Sequence, residues 1–372
     1  MNGYLKSYQV VMRSIGPVFI GSGREISKKE YVFLNQSQVG MIDAWKLYDE
    51  MKRRKKETGF EGYILGNGNM SLNCWLKKQG IEIKEIKPFV KYALDCGDAV
   101  TEKVSNRLQV MECIKDAYGN PYIPGSSLKG MFRTILLGAD ILKNPKKYQN
   151  VKQNLKRNVE MDKSNRNSYL KRDTKNVETI AYRILSRNEK KQEDAVNDVL
   201  QGLIISDSEP LSIDSLVLCQ KIDLHTDGTE RSLPILRECI KPGTEIKFTI
   251  TVDTSICSLT NDSLMEAVKV FMESYHRNFA MAFASIGTYG EREVFCGGGC
   301  GFVSKTIVYP MYGKEEGIAI TQKVFDKTKV PRVHKHYRDK EYGASPHIMK
   351  CTKYRGKLYQ MGKCRIETMQ LI

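Results

Sequence analysis

Histidine and tryptophan are scarce in this chain, with five and two copies among 372 residues. So small a supply of imidazole leaves little material for metal or acid–base chemistry. Cysteine is present ten times, yet no two cysteines stand as C-x-x-C, which excludes the common zinc-ribbon and thioredoxin-like spacings. The first residues, Met1 to Val10, hold one charge, Lys6, and no apolar stretch ahead of a small-residue cleavage site. An export signal is therefore not expected, and the thiols are expected to be reduced core filler in a cytoplasmic protein. No run approaches the roughly 18 apolar residues of a membrane span, so a membrane partner is not expected either.

Acidic residues are in deficit, 43 against 59 Lys and Arg, for a formal charge of +16. A balance that far from zero favours a polyanionic partner, of which nucleic acid is the commonest. The excess is concentrated: Lys143 to Lys191 hold 15 basic and 5 acidic residues, and Gly301 to Ile372 hold 15 and 6. Either region would also serve as a solvated surface. An apolar fraction of 41% and a mean hydropathy of −0.42 describe a globular chain, and its length exceeds the usual single core, so two domains are expected.

The most informative stretch is Ile123-Pro124-Gly125-Ser126-Ser127-Leu128-Lys129-Gly130-Met131-Phe132-Arg133. Pro124-Gly125 breaks an extended segment, the serines can cap free amides, and Leu128, Met131, Phe132, Ile135 and Leu136 recur at helical spacing. A helix start beside Gly and Ser offers amides and a positive dipole end to a phosphate, and Lys129 and Arg133, one turn apart, would add charge. An ordinary capped helix packed on a sheet would use the same residues.

Upstream, Tyr8 to Ile20 read as extended pieces closed by the loop Gly21-Ser22-Gly23-Arg24, whose glycines permit close backbone approach to a ligand and whose arginine supplies charge. Tyr31 to Leu34 reads as a strand, Ile42 to Met51 and Ser71 to Gln79 as helices, and Ile81, Ile83 and Ile86 as an exposed strand or hairpin. Lys143 to Asp198 is polar and basic, with helical spacing between Thr179 and Leu200, and Val151 to Val177 is expected to be disordered without nucleic acid. Strand signals return at Leu203 to Ile205, Ser215 to Ile222 and Glu245 to Val252. A long helix follows, capped at Asn261-Asp262-Ser263 and ended by Gly287. This order implies an α+β fold of two ferredoxin-like (RRM-like) modules with Gly-rich loops. The expected boundaries are residues 1–142 for the first module, 143–200 for a basic insertion or linker, and 201–372 for the second.

The run Cys296-Gly297-Gly298-Gly299-Cys300-Gly301-Phe302-Val303-Ser304-Lys305-Thr306 nearly spells a P-loop. It fails because Ser304 stands where the second Gly belongs and because Thr306 to Pro310 reads as a strand. A loop laid against a sugar-phosphate chain fits better, with Phe302 stacking and Lys305 neutralising. A plain tight loop is the simpler alternative. No cofactor is expected.

Catalytic material is thin. His334 and His336, among Arg332, Lys335, Tyr337, Arg338 and Lys340, would suit acid–base cleavage of RNA or, equally, plain RNA contact. A metal is not expected, since no second cysteine or carboxylate is read at ligand spacing from this pair. Asp207 and Asp214 are read as turn residues.

Together, Gly16-Pro17-Val18-Phe19-Ile20-Gly21-Ser22-Gly23, I-P-G-S-S-L-K-G at Ile123 to Gly130, G-F-V-S-K-T at Gly301 to Thr306, and the stretch from Pro346-His347 to Met361-Gly362-Lys363-Cys364 resemble the RAMP superfamily of CRISPR-associated RNA-binding proteins. Within it the likeness is to the fifth-subunit family of type III-A (Csm) effectors. The resemblance implies a non-catalytic subunit that binds CRISPR RNA near its 3′ end, caps the backbone filament beside neighbouring RAMP subunits, and supports 3′ maturation in antiviral defence. Target RNA and host nucleases are further implied partners. A metal-independent endoribonuclease acting on CRISPR RNA is the alternative. The residues expected to carry RNA binding are Gly21, Ser22, Gly23, Arg24, Gly125, Ser126, Ser127, Lys129, Arg133, Gly298, Gly299, Gly301, Phe302 and Lys305.

Overall fold

A computed structural model describes residues 3–99, 108–283 and 289–372. In the N-terminal stretch, β1 (Leu5–Ser14), β2 (Gly21–Ile26), β3 (Tyr31–Phe33) and β4 (Gln38–Ile42) precede four short helices, α1 (Ala44–Arg53), α2 (Glu57–Leu65), α3 (Leu72–Lys78) and α4 (Ile83–Ile86). Next come β5 (Val90–Asp95), β6 (Gln109–Cys113), the long α5 (Gly125–Lys143), α6 (Gln149–Met161) and α7 (Lys171–Tyr182). The strands β7 (Leu203–Ile205), β8 (Leu216–His225), β9 (Glu230–Ile240) and β10 (Glu245–Asp253) lead to α8 (Asn261–Asn278). The chain closes with β11 (Glu293–Phe295), α9 (Val308–Lys327), α10 (Asp339–Tyr342), β12 (Ile348–Tyr354), β13 (Lys357–Gln360) and β14 (Lys363–Leu371).

One sheet has the spatial order β11-β14-β1-β10-β7, every neighbouring pair antiparallel. In chain order β1, α5, β7, β10, α8 and β14 make a β-α-β-β-α-β unit, and its strands lie fourth, first, third, second. That is a ferredoxin-like module. Alternation explains its inner face: Tyr8, Val10 and Met12 of β1 and Ile246, Phe248, Ile250 and Val252 of β10 are buried, and the residues between them are more exposed and, apart from Val11, polar. The helices α5 and α8 cross so closely that a Cβ on Gly138 would lie 2.4 Å from the ring of Phe271.

The second sheet runs β2-β6-β9-β8-β5-β4-β3, with β12 also on β8 and β13 on β12. Its β3 end is covered by α1 to α4 around a separate core that includes Leu47, Met51, Phe60, Trp75 and Leu76. The α+β fold and its two sheets agree with the two ferredoxin-like modules expected.

The strand pairing cuts across a division at 142 and 200. β1 and β14, from opposite ends of the chain, pair from Tyr8↔Leu371 to Ser14↔Cys364, and β6 pairs with β9 in the other sheet. A local hydrophobic pattern says which residues face inward, not which strands meet, so this interleaving leaves no mark in the sequence.

Three local expectations are corrected. Ile81 to Ile86 is no strand: a capping box between Glu82 and Glu85 opens α4. Thr306 to Pro310 enters α9, where Pro310 is tolerated because it lies in the first turn. The stretch expected to be disordered, Val151 to Val177, is instead largely helical. Here α6 docks on α9 through Tyr312, whose hydroxyl donates to Lys152 O at 2.8 Å, and through the Lys156–Glu316 ion pair at 2.5 Å. Thr260 is the capping residue of α8, and the expected stop at Gly287 lies outside the described residues.

Candidate nucleic-acid interface

The start of α5 meets the end of β7, the Gly-rich loop after β11 and the stretch Gly21 to Arg24, which was expected to be a loop and instead opens strand β2, paired to β6. Gly125 is pressed against the end of β7, where a Cβ would lie 2.2 Å from Ile205 O, and its amide donates to Asp207 Oδ1 at 2.7 Å. The first helix amide is thus capped by the protein itself. Ser126 and Ser127 follow at the mouth of a cleft of about 460 Å³, lined also by Gly21, Gly297, Gly298 and Lys305. Among the described residues neither serine hydroxyl has a hydrogen-bond partner, and the exposed Lys305 has no ion pair. The cleft therefore joins unspent hydroxyls, loop backbone and an unspent cation.

The Gly-rich loop after β11 is seated on the segment after β1. Gly298 donates its amide to Phe19 O at 2.6 Å, and Gly297, at φ +82°, would place a Cβ 2.3 Å from that same carbonyl oxygen. Only glycine fits there. Beneath the loop lies Arg237 of β9, its guanidinium 5.2 Å above the ring of Phe19 and close enough to Gly299 that a Cβ there would stand 2.6 Å from Nη1. Its Nε and Nη1 are buried without a hydrogen-bond partner. Unmade bonds on buried charged donors are costly, and an entering anion would supply the acceptors. On the same sheet, burial, and after it the neighbouring Lys350, pushes the amine of Lys221 below the ordinary lysine value. Lys350 itself pairs with Asp223 at 2.7 Å. Arg237 and Lys350 were not anticipated, because neither β9 nor β12 is apparent from local pattern; Lys221 lies on a strand that was read, Ser215 to Ile222, but was not singled out there.

Several expected residues turn elsewhere. Lys129 donates to Leu200 O at 2.7 Å, and burial lowers its amine's pKa. Arg133 reaches Asp198 and Glu178, each at 2.9 Å, and lies 4.5 Å over the ring of Tyr182. These two cations of α5 thus hold the 171–202 segment in place rather than facing the cleft. Arg24 is paired with Glu30 at 2.5 Å and lies 3.7 Å from Glu112, which also accepts from Ser22 Oγ at 3.0 Å. Gly23, at φ +89°, stands in open space beside them. Phe302 packs edge-on against Phe325 at 5.2 Å, and Gly301, at φ +94°, borders Lys350. Of the expected set, the fold gathers Gly21, Ser126, Ser127, Gly298 and Lys305 into one cleft, with Gly299 close by over Arg237.

The histidine reading also changes. A carboxylate does stand near His336: Asp339, three residues on, lies 3.2 Å from its Nδ1, and His347 joins them from the start of β12. His334 stays outside this trio, its ring 6.0 Å from that of His336. The His336-x-x-Asp339 spacing was the available signal.

The fold and cleft define an α+β protein of interleaved ferredoxin-like modules in which glycines, serine hydroxyls and one lysine converge on one groove. The chain belongs to the RAMP superfamily, whose family model matches residues 11–257. It is 29% identical over 391 residues to a protein of Mycobacterium tuberculosis (strain ATCC 25618 / H37Rv) named CRISPR system Cms protein Csm5, covering 98% of each chain. A protein of the same name from Streptococcus thermophilus is 25% identical over 347 residues, covering 90% of this chain and 88% of that one. Among solved structures, a chain of a Csm-crRNA-target RNA ternary complex from a type III-A CRISPR-Cas system superposes with a TM-score of 0.63 at 19% identity, covering 97% of this chain and all of that one. The crystal structure of T.onnurineus Csm5 gives 0.59 at 17% identity, covering 96% and 100%. Those two likenesses speak to the fold. No helix among the described residues is long and apolar enough to cross a membrane.

Proposed function

We propose that this chain is an RNA-binding, non-catalytic subunit of a type III-A CRISPR effector, holding CRISPR RNA near its 3′ end and capping the filament of backbone RAMP subunits. The observation that carries the reading is the cleft in which Ser126, Ser127, Gly298 and the unpaired Lys305 meet, beside Gly299 of the same loop, which packs on Arg237, whose buried donors lack acceptors. Backbone phosphates fit those groups: amides and hydroxyls orient them, cations neutralise them, and no base edge need be read. The similarity of the whole chain to proteins named Csm5 supports placing the RNA within a Csm complex. Support for 3′ maturation, through nucleases that this subunit positions, follows from the same placement.

The test is binding of the purified chain to labelled mature CRISPR RNA, with and without the backbone subunits, across a salt series. Binding that strengthens with those subunits and weakens steeply with salt is expected, with a slope of about −0.7 per phosphate neutralised. Absence of affinity at low salt would leave only an adaptor role. Shortening of the RNA, lost on His334→Ala or His336→Ala change, would replace the proposal with the endoribonuclease reading.

A further inference from the structure

The segment after α9 has no part in the cleft, yet it builds the most concentrated group of metal-ligating side chains among the described residues. Two 3-10 turns, Arg332–His334 and His336–Arg338, run directly into the single turn of α10, so His336 and Asp339 fall on one side of the same turn. The chain then passes Ser345 and Pro346 and delivers His347 at the start of β12. We infer that His336, Asp339 and His347 form a binding site for one divalent transition metal of the zinc class, which ties the 331–347 segment to the second sheet. The inference is independent of the RNA-binding reading.

Geometry is the first ground. One candidate ligand atom from each residue lies within 4.8 Å of the others. His336 Nδ1 is 3.2 Å from both carboxylate oxygens of Asp339, and His347 Nδ1 is 2.5 Å from Oδ1. A tetrahedral ion bound at about 2.0–2.1 Å by nitrogen and oxygen holds adjacent ligand atoms about 3.3 Å apart. The His336 separation is close to that value and the His347 separation is shorter than it by less than an ångström, so sub-ångström shifts would admit the ion.

Charge balance is the second ground. Asp339 is fully buried, and His347 is only 4% exposed. Among the described residues no lysine or arginine pairs with Asp339; its partners are His336, His347 and the hydroxyl of Ser345. A buried carboxylate with no lysine or arginine beside it is a ready partner for a bound cation. A divalent ion would supply the charge, with Ser345 orienting the carboxylate from outside, as partners behind metal ligands commonly do.

The donor set fixes the class of metal. Two imidazoles and one carboxylate suit zinc, cobalt or nickel, whereas calcium and magnesium take oxygen ligands. Three protein ligands leave a fourth position for water, with His225 and His334 flanking at ring distances of 5.5 Å from His347 and 6.0 Å from His336. Through Phe325, 4.5 Å from the ring of His336 and 5.2 Å from that of Phe302, the tie would also steady one side of the Gly-rich loop.

The experiment is a cobalt titration of the tag-free, full-length chain, followed by absorption in the visible and by metal analysis after dialysis. One equivalent with the strong bands of tetrahedral cobalt, displaced by zinc, is expected. His347→Ala and His336→Ala should each weaken binding at least tenfold, while His276→Ala, on α8, should leave it unchanged. Circular dichroism verifies that each variant is folded, and His336, the most exposed ligand, keeps the test standing if the more buried variant does not fold. A wild-type chain that retains no cobalt, or a folded His336→Ala variant that binds like wild type, overturns the assignment.

Discussion

Lys129 and Arg133 on α5 and Lys305 and Arg237 around the Gly-rich loop are all cations within one small region, but their circumstances are opposite. The first pair is spent inside the protein, on Leu200 O and on Asp198 and Glu178. In the second pair, Lys305 is exposed and unpaired among the described residues, and Arg237 keeps two buried donors without acceptors. Spacing along a helix makes the first pair conspicuous in sequence. Pairing status, which only the fold reveals, ties the first pair to stability and leaves the second as the cations proposed to meet the anionic ligand.

That contrast can be broken at several points. The largest effect should come from Arg133→Ala, which leaves Asp198, only 7% exposed, with Arg183 as its remaining ion-pair partner. A loss of about 2–3 kcal/mol in urea unfolding is expected, with the salt slope of RNA binding unchanged. An altered slope would return Arg133 to the interface. Gly297→Ala should cost about 1–2 kcal/mol from its left-handed backbone, and more from the contact with Phe19 O. Because the loop must shift, RNA affinity should fall at every salt concentration; unchanged affinity would mean that the loop does not touch RNA. Arg237→Gln should weaken RNA binding about tenfold while stability stays within about 0.5 kcal/mol, since the lost side chain leaves few partners behind. Destabilisation without loss of affinity would make Arg237 a packing residue.

Much of the fold was legible where a single element carries its own periodicity. The apolar faces of α5 and α8 and the alternation in β10 all appear in the structure. The cleft was half legible, because glycines at φ +77° to +94° and a Pro-Gly helix entry are demands of local backbone geometry. What escaped is non-local. β9 carries Pro234 and charged residues along its length, so its place beside β6 and β8, which positions Arg237, has no local signature. The β-branched run at Thr306 to Val308 suggested a strand, but burial of Tyr309, Met311 and Tyr312 on a helical face outweighs that propensity. His347 lies eleven residues beyond His336, and only the turn at α10 brings them to one carboxylate.

The measurement that tests the central distinction most directly is the salt dependence of RNA binding in Lys305→Ala and Lys129→Ala, side by side with the wild-type chain. The structure predicts that Lys305→Ala flattens the slope by about 0.7, one phosphate contact, and that Lys129→Ala leaves it unchanged. The reverse pattern would place the phosphate chain along α5 and contradict the assignment of the cleft.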